Sequence, residues 1–242
     1  MRVLVLLTIP ILFVFGKYDM PTKMPQLVKK VEEKLDPRPT RSIDLKHYRL
    51  VLSSINKRRN DLAKMELTDS IINVASDQWT SFMTDSIFPY WYGTEWDFNG
   101  HTDKPNNGQI ACGYFVSTTM RHSGIALNRY KLAQKAASDI IDNVCAKGSA
   151  KWFDDLDALT DHLNGRKDGL FVLGLDYHVG FVLREGEDHF FIHSDYFNGK
   201  VTKELLTNST AANSTSRYYL GSISENKDLM KCWLTGKVVS TK

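Results

Sequence analysis

The tightest constraint in this sequence is a pair of apolar runs in its last third, each carrying a histidine. They read Asp176-Tyr177-His178-Val179-Gly180-Phe181-Val182-Leu183 and Phe190-Phe191-Ile192-His193-Ser194. Both are short and rich in β-branched and aromatic residues, and Glu185-Gly186-Glu187 lies between them, the composition of an antiparallel hairpin. Side chains alternate along a strand, so His178, Gly180 and Val182 share one face, opposite Val179, Phe181 and Leu183. A tight loop at Glu185-Gly186 sets Arg184 against Glu187 and His178 directly against His193. A longer loop over residues 185–188 moves the partner of His178 to Asp195, on the same face. Gly180 leaves space on that face for a helix to approach.

Further upstream, Asn106-Asn107-Gly108 is a loop signal running into a segment with helical apolar spacing, and Cys112 falls in its first turn. A thiol there feels the positive end of the helix dipole and unpaired backbone N–H groups, which favour thiolate. A helix-borne cysteine followed by two strand-borne histidines is the layout of a nucleophile, its base and a group that orients the base. Zinc competes for the same residue types, but one cysteine with two histidines is a ligand short of a closed site, so no metal or cofactor is expected. His101, His122 and His162 read as solvated, and His189 alternates out of phase with the pair.

The rest of the chain frames this arrangement. Met1-Arg2 followed by the apolar run Val3–Phe15 is too short for a comfortable membrane span and fits a secretion signal over residues 1–16. Export exposes Cys112, Cys145 and Cys232 to oxidising surroundings; Cys145 and Cys232 either pair or stay as two buried free thiols, leaving Cys112 unpaired. Residues 17–67 read as a helical extension: a Pro-punctuated lead-in around a helix with Leu27, Val28, Val31 and Leu35, then a helix from Leu45 to about Met65. Thr68 caps a third helix, expected to end before Phe88. The aromatic segment 88–98 fits either loop-borne core or the wall of a substrate groove made by Tyr90, Trp91, Tyr92 and Trp96. A helix carries Ala133 to Val144, residues 208–216 form a polar loop, and Ser224 caps a last helix. Helices first and strands later indicate an α+β domain over residues 68–242, with helices on a small antiparallel sheet. A net charge of +3, scattered apart from the helix face Lys57-Arg58-Arg59, gives no reason to expect nucleic acid.

These motifs resemble those of the NlpC-type cell-wall peptidases, a papain-like superfamily. Pro89-Tyr90-Trp91-Tyr92-Gly93-Thr94 is similar to the family's Pro-Tyr-x-Tyr/Trp-Gly segment, and Cys112 opens a helix as the family nucleophile does. His178-Val179-Gly180-Phe181 and Phe191-Ile192-His193-Ser194 resemble its His-Val-Gly-Ile and Phe-Ile-His-Ala strands. The chain has Ala111-Cys112-Gly113-Tyr114 where the family writes Asp-Cys-Ser-Gly. The resemblance implies Cys112 as nucleophile, His178 as base, His193 as the residue orienting it, and Tyr90 beside the cysteine. It also implies a secreted or periplasmic hydrolase that needs no cofactor or lasting membrane anchor and cuts amide bonds in peptidoglycan stem peptides. An acyl transferase or deamidase on the same scaffold, or a binding module that keeps the groove without turnover, fits the same residues.

Overall fold

A computed structural model describes residues 44–241, so the expected signal and the lead-in helix lie outside the described residues. The chain is α+β. Helix α1 (Leu45–Leu62) starts on an Asp44 cap, and α2 (Asp69–Ser81) starts as expected on Thr68, whose hydroxyl accepts from the Ile71 N–H. The helical path then continues past Phe88. A π-helical turn (Phe82–Ile87) shifts the ladder so that the Phe88 N–H bonds the Met83 carbonyl five residues back, and α3 (Phe88–Trp91) follows. Pro89, which has no N–H to donate, therefore sits in a first turn, where none is required.

Helix α4 (Cys112–His122) ends at Ser123 and Gly124, the latter at φ +95°. The helix expected from Ala133 to Val144 is two: α5 (Arg129–Ala133) and α6 (Ala137–Val144). Asn128 caps the first through the Tyr130 and Lys131 N–H groups, and Gln134-Lys135-Ala136 separates them. Helix α7 (Leu156–Asn164) precedes the main strands. A short helix α8 (Thr210–Asn213) occupies the segment read as a polar loop, because Ala211 and Ala212 are buried. The last helix, α9 (Lys227–Thr235), is capped by Asn226 rather than Ser224, whose hydroxyl instead accepts from the Leu170 N–H.

Six strands form one sheet: β1 (Lys151–Phe153), β2 (Gly169–Leu175), β3 (His178–Glu185), β4 (Asp188–Asp195), β5 (Lys200–Leu205) and β6 (Tyr218–Ser222). Their order is β1-β6-β2-β3-β4-β5, and every pair is antiparallel. Alternation along the strands divides the core in two. Leu170, Val172, Phe181, Leu183 and Ile192 face a helical layer containing Trp79, Trp91, Phe115, Ile141 and Trp233. Phe171, Leu173, Val182 and Phe191 face a smaller cluster with Leu159, Leu163 and Leu206. None of the helices among the described residues is long and apolar enough to cross a membrane.

The hairpin differs from the tight register in an instructive way. Glu185 pairs with Asp188, so the two-residue loop is Gly186-Glu187, with Gly186 at φ +62° in its first position. The left-handed conformation belongs to the first loop residue, and glycine adopts it without a Cβ penalty. The register therefore follows the alternative spacing. Carried forward from Phe181↔Ile192, it sets Gly180 across from His193 and His178 across from Asp195. The shift is by two residues, so both histidines stay on one face.

Candidate active site

The site begins with helix α4. Its N-cap, Ala111, has no side chain to satisfy the first N–H groups, which stay available at the start of the helix. The second helical position is fixed by packing: a Cβ on Gly113 would stand 2.4 Å from the Ala133 carbonyl oxygen of α5. Backbone against backbone thus seats the turn that carries Cys112. Its sulfur lies within reach of the backbone N–H groups of Val179, Gly113 and Cys112 itself. Burial nevertheless pushes the Cys112 thiol above its ordinary pKa, and those N–H groups only partly offset it. The expectation of a preformed thiolate is corrected accordingly: at rest this is a thiol.

His178 and His193 meet diagonally rather than face to face, with His178 Nε2 and His193 Nδ1 2.8 Å apart. Gly180 makes this possible. A Cβ there would approach His193 Cβ to 2.6 Å and Phe191 Cε2 to 2.7 Å, so the space attributed to an approaching helix is filled by two side chains of β4. Phe191 stacks on His193 with centroids 4.0 Å apart, which holds the imidazole plane. Behind it, His193 Nε2 lies 3.0 Å from Glu204 Oε1 on β5.

This chain has a direction. Burial works to raise the Glu204 pKa, but hydrogen bonds from His193 and Ser209 and the attraction of His193 hold it below the ordinary value, so the group is a carboxylate. A carboxylate only accepts, so His193 donates from Nε2, and in the neutral ring Nδ1 is then the acceptor. His178 must then donate from Nε2, which leaves its Nδ1 as a bare lone pair. Burial, reinforced by the nearby His193, holds the His178 pKa well below the usual value, so the ring is neutral. A neutral thiol and a neutral base whose proton-accepting atom is set by two residues behind it can carry out general-base activation of the thiol.

Cys112 and His178 line one cavity of about 340 Å³, together with Val179, Lys135, Trp152, Arg217 and Tyr219. Two larger grooves, of about 610 and 660 Å³, bring no cysteine and histidine together. Tyr196 closes a flank, with its ring 5.3 Å from His178 and 6.2 Å from Trp96. The expected aromatic groove wall is otherwise corrected. Trp91 is fully buried, donating from Nε1 to the Tyr48 hydroxyl, and Tyr92 is nearly so. The Tyr90 hydroxyl pairs with His47 Nδ1 at 2.7 Å. None of Tyr90, Trp91, Tyr92 and Trp96 lines the cysteine cavity, and Phe88 and Trp91 pack as core because their rings meet Phe115 and, for Phe88, Phe181.

His193, Asp195 and Glu204 could gather three ligand atoms within 4.8 Å of one another. Both nitrogens of His193 are engaged within the chain of hydrogen bonds, however, and the Asp195 carboxylate accepts from the Phe197 N–H and Asn198 Nδ2. The donor set suits a proton relay better than an ion. All three cysteines are free thiols: Cys145 is buried in the core, and Cys232 is half-buried.

Sequence reasoning missed Glu204, Tyr196 and the cationic wall at Lys135 and Arg217. Glu204 pairs with Phe191 across β4–β5 and so shares the face of His193; its one sequence signal is a period of two within Lys200–Leu205, masked by polar residues. Compared with known proteins, the chain matches no family model, no curated protein and no solved structure.

Proposed function

We propose that this protein is a cysteine hydrolase that cleaves an amide bond, with Cys112 as nucleophile, His178 as general base and acid, and His193 orienting His178. The observation that carries the reading is the directed chain Glu204–His193–His178, which leaves a lone pair on the imidazole that shares a cavity with Cys112. In this reaction His178 Nδ1 takes the thiol proton as sulfur bonds to the amide carbon. The backbone N–H groups near the sulfur stabilise the oxyanion. His178 returns the proton to the leaving amine as the C–N bond breaks. Water, deprotonated by His178, then splits the thioester and restores the thiol.

A helix-borne cysteine and two strand-borne histidines, in that chain order on an antiparallel sheet, support a papain-like, NlpC-type reading of the domain. With the signal-like residues 1–16, they favour export and peptidoglycan stem peptides as substrate.

The test is labelling of the folded chain with a thiol-reactive probe, followed by incubation with muropeptides. Labelling at Cys112 and muropeptide cleavage that disappears in His178→Ala are the expected results. An inert Cys112 points to a binding module, and incorporation of an added amine without net hydrolysis points to a transferase; either overturns the hydrolase.

A further inference from the structure

Cys112 has a flank outside the cavity, built from two segments far apart in sequence. Residues 93–96 run beside the start of β5. The Gly93 N–H donates to the Val201 carbonyl, the Val201 N–H to that of Thr94, and the Trp96 N–H to that of Gly199. The same segment holds the approach to the cysteine, because the Ile110 N–H donates to the Glu95 carbonyl. Ser194 Oγ, near the end of β4, donates to the Ile110 carbonyl at 2.6 Å. Two residues before Cys112, the chain is therefore tied both to β4 and to the strip that carries Trp96.

The turn after β4 completes this flank. The buried Asp195 carboxylate accepts from the Phe197 N–H at 2.8 Å and from Asn198 Nδ2, which fixes the backbone bearing Tyr196 and Phe197. The Tyr196 ring lies 4.4 Å from that of Phe197, 6.2 Å from that of Trp96, and edge-on to His178 at 5.3 Å. Burial, Asp195 and Cys112 all raise the Tyr196 pKa, so the phenol is neutral. Tyr196 and Phe197 nevertheless remain 38% and 48% exposed. One exposed ring is ordinary on a protein surface. Three in contact, braced by a buried carboxylate and ending on the proposed base, form a preorganised apolar surface.

The proton path says which half of a substrate meets it. His178 returns its proton to the leaving nitrogen, so the leaving half lies on the imidazole's side of the sulfur. Tyr196 packs against that imidazole and does not line the cavity beside Cys112. None of the three side chains is charged, so the flank offers apolar area and ring faces rather than ion pairing.

We infer that the residue whose amine leaves carries a large apolar side chain, which packs across Tyr196, Phe197 and Trp96. The inference rests on the amide-hydrolase reading of Cys112 and His178, not on peptidoglycan as the source of the amide, and the subsite is testable without turnover.

A free amine seated on this flank shields the sulfur. The full chain is treated with iodoacetamide in the presence of phenylalaninamide or, separately, glycinamide, and alkylation of Cys112 is followed by mass spectrometry. Glutathione in the same mixtures corrects for reaction of the amines with the reagent. Phenylalaninamide is expected to halve the rate at a concentration about tenfold below that required of glycinamide, the discrimination that a few ring contacts supply. Combining Trp96→Ala with Phe197→Ala should bring the two concentrations together. Phe197→Ala alone, at a half-exposed position, should fold and already narrow the gap. Equal protection by the two amides in the wild type, or a preference that survives both of these variants, overturns the subsite. If the preference behaves as expected but no amide is cut, the hydrolase reading fails while the apolar subsite stands. If amides are cut equally well with glycine or phenylalanine on the leaving side, the hydrolase stands and this inference fails.

Discussion

Two hydrogen-bonded networks contain histidines, one in the helical layer and one on the sheet, and only the second shares a cavity with a cysteine. In the helical layer, Trp91 Nε1 donates to the Tyr48 hydroxyl, which is also hydrogen-bonded to His122 Nδ1 at 2.9 Å. On the sheet, the chain runs Glu204, His193, His178. Burial depresses the pKa of both His122 and His178. The first network begins at an indole and holds α1 against α4; no anion and no thiol belong to it. The second begins at a carboxylate and ends at a lone pair beside a thiol cavity. A depressed imidazole is thus common to both, and what separates them is the charge behind the ring and the nucleophile in front of it.

The contrast can be broken most decisively at the sheet. Cys112→Ala or His178→Ala is expected to lower amide hydrolysis by about a thousandfold or more, while the melting temperature stays close to wild type. Tyr48→Phe should leave the rate near wild type, and a comparable loss there would erase the distinction between the networks.

Next comes the dependence of stability on pH. His122 is held at about 4 against an ordinary value of 6.5, chiefly by burial, so the unfolded chain takes up its proton before the native one. Stability is therefore full above about pH 6.5 and declines as the pH falls toward 4, by about 3 kcal/mol for this group. Burial of His178 acts in the same direction. Urea midpoints at pH 7.5 and 4.5 should show the loss, and His122→Gln should flatten it. An unchanged slope in that variant would place the titration elsewhere.

A smaller effect is expected at the far end of the relay. Glu204→Ala removes the group that fixes the His193 tautomer and should cost about tenfold to a hundredfold in rate. Glu204→Gln, which keeps an acceptor, should recover part of it. Without the carboxylate, protonated His178 is less stabilised, so the acid limb of the rate–pH profile should move to lower pH. A drop in rate with no movement of that limb would make Glu204 a packing residue only.

The smallest expected effect is on folding: Tyr48→Phe removes a hydroxyl that serves two buried partners and should cost about 1–2 kcal/mol, read from denaturant midpoints.

The central triplet was legible because period-two alternation places His178 and His193 on one face regardless of which hairpin loop forms. The loop itself was not, since Glu185-Gly186 and Gly186-Glu187 differ only in which position carries the left-handed residue. Edge strands hid for another reason: β5 reads Lys-Val-Thr-Lys-Glu-Leu, and a half-buried edge needs few apolar residues. Trp91 and Tyr92 misled because aromatic density marks a groove wall and a core equally well, and only the π-helical turn and the rings of Phe115 and Phe181 decide between them. The thiolate expectation failed because the helix start supplies donors, while the burial that comes with seating Gly113 on α5 works against the charge.

Gly180 makes absence itself a diagnostic. The relay depends on one missing carbon: add it, and the imidazole of His193 or the ring of Phe191 must leave its place. A sequence could keep the cysteine and both histidines yet carry alanine at this position, and it would lose the aligned proton path while looking intact by its reactive residues. For any chain built on this plan, the residue without a side chain decides whether the two imidazoles can meet.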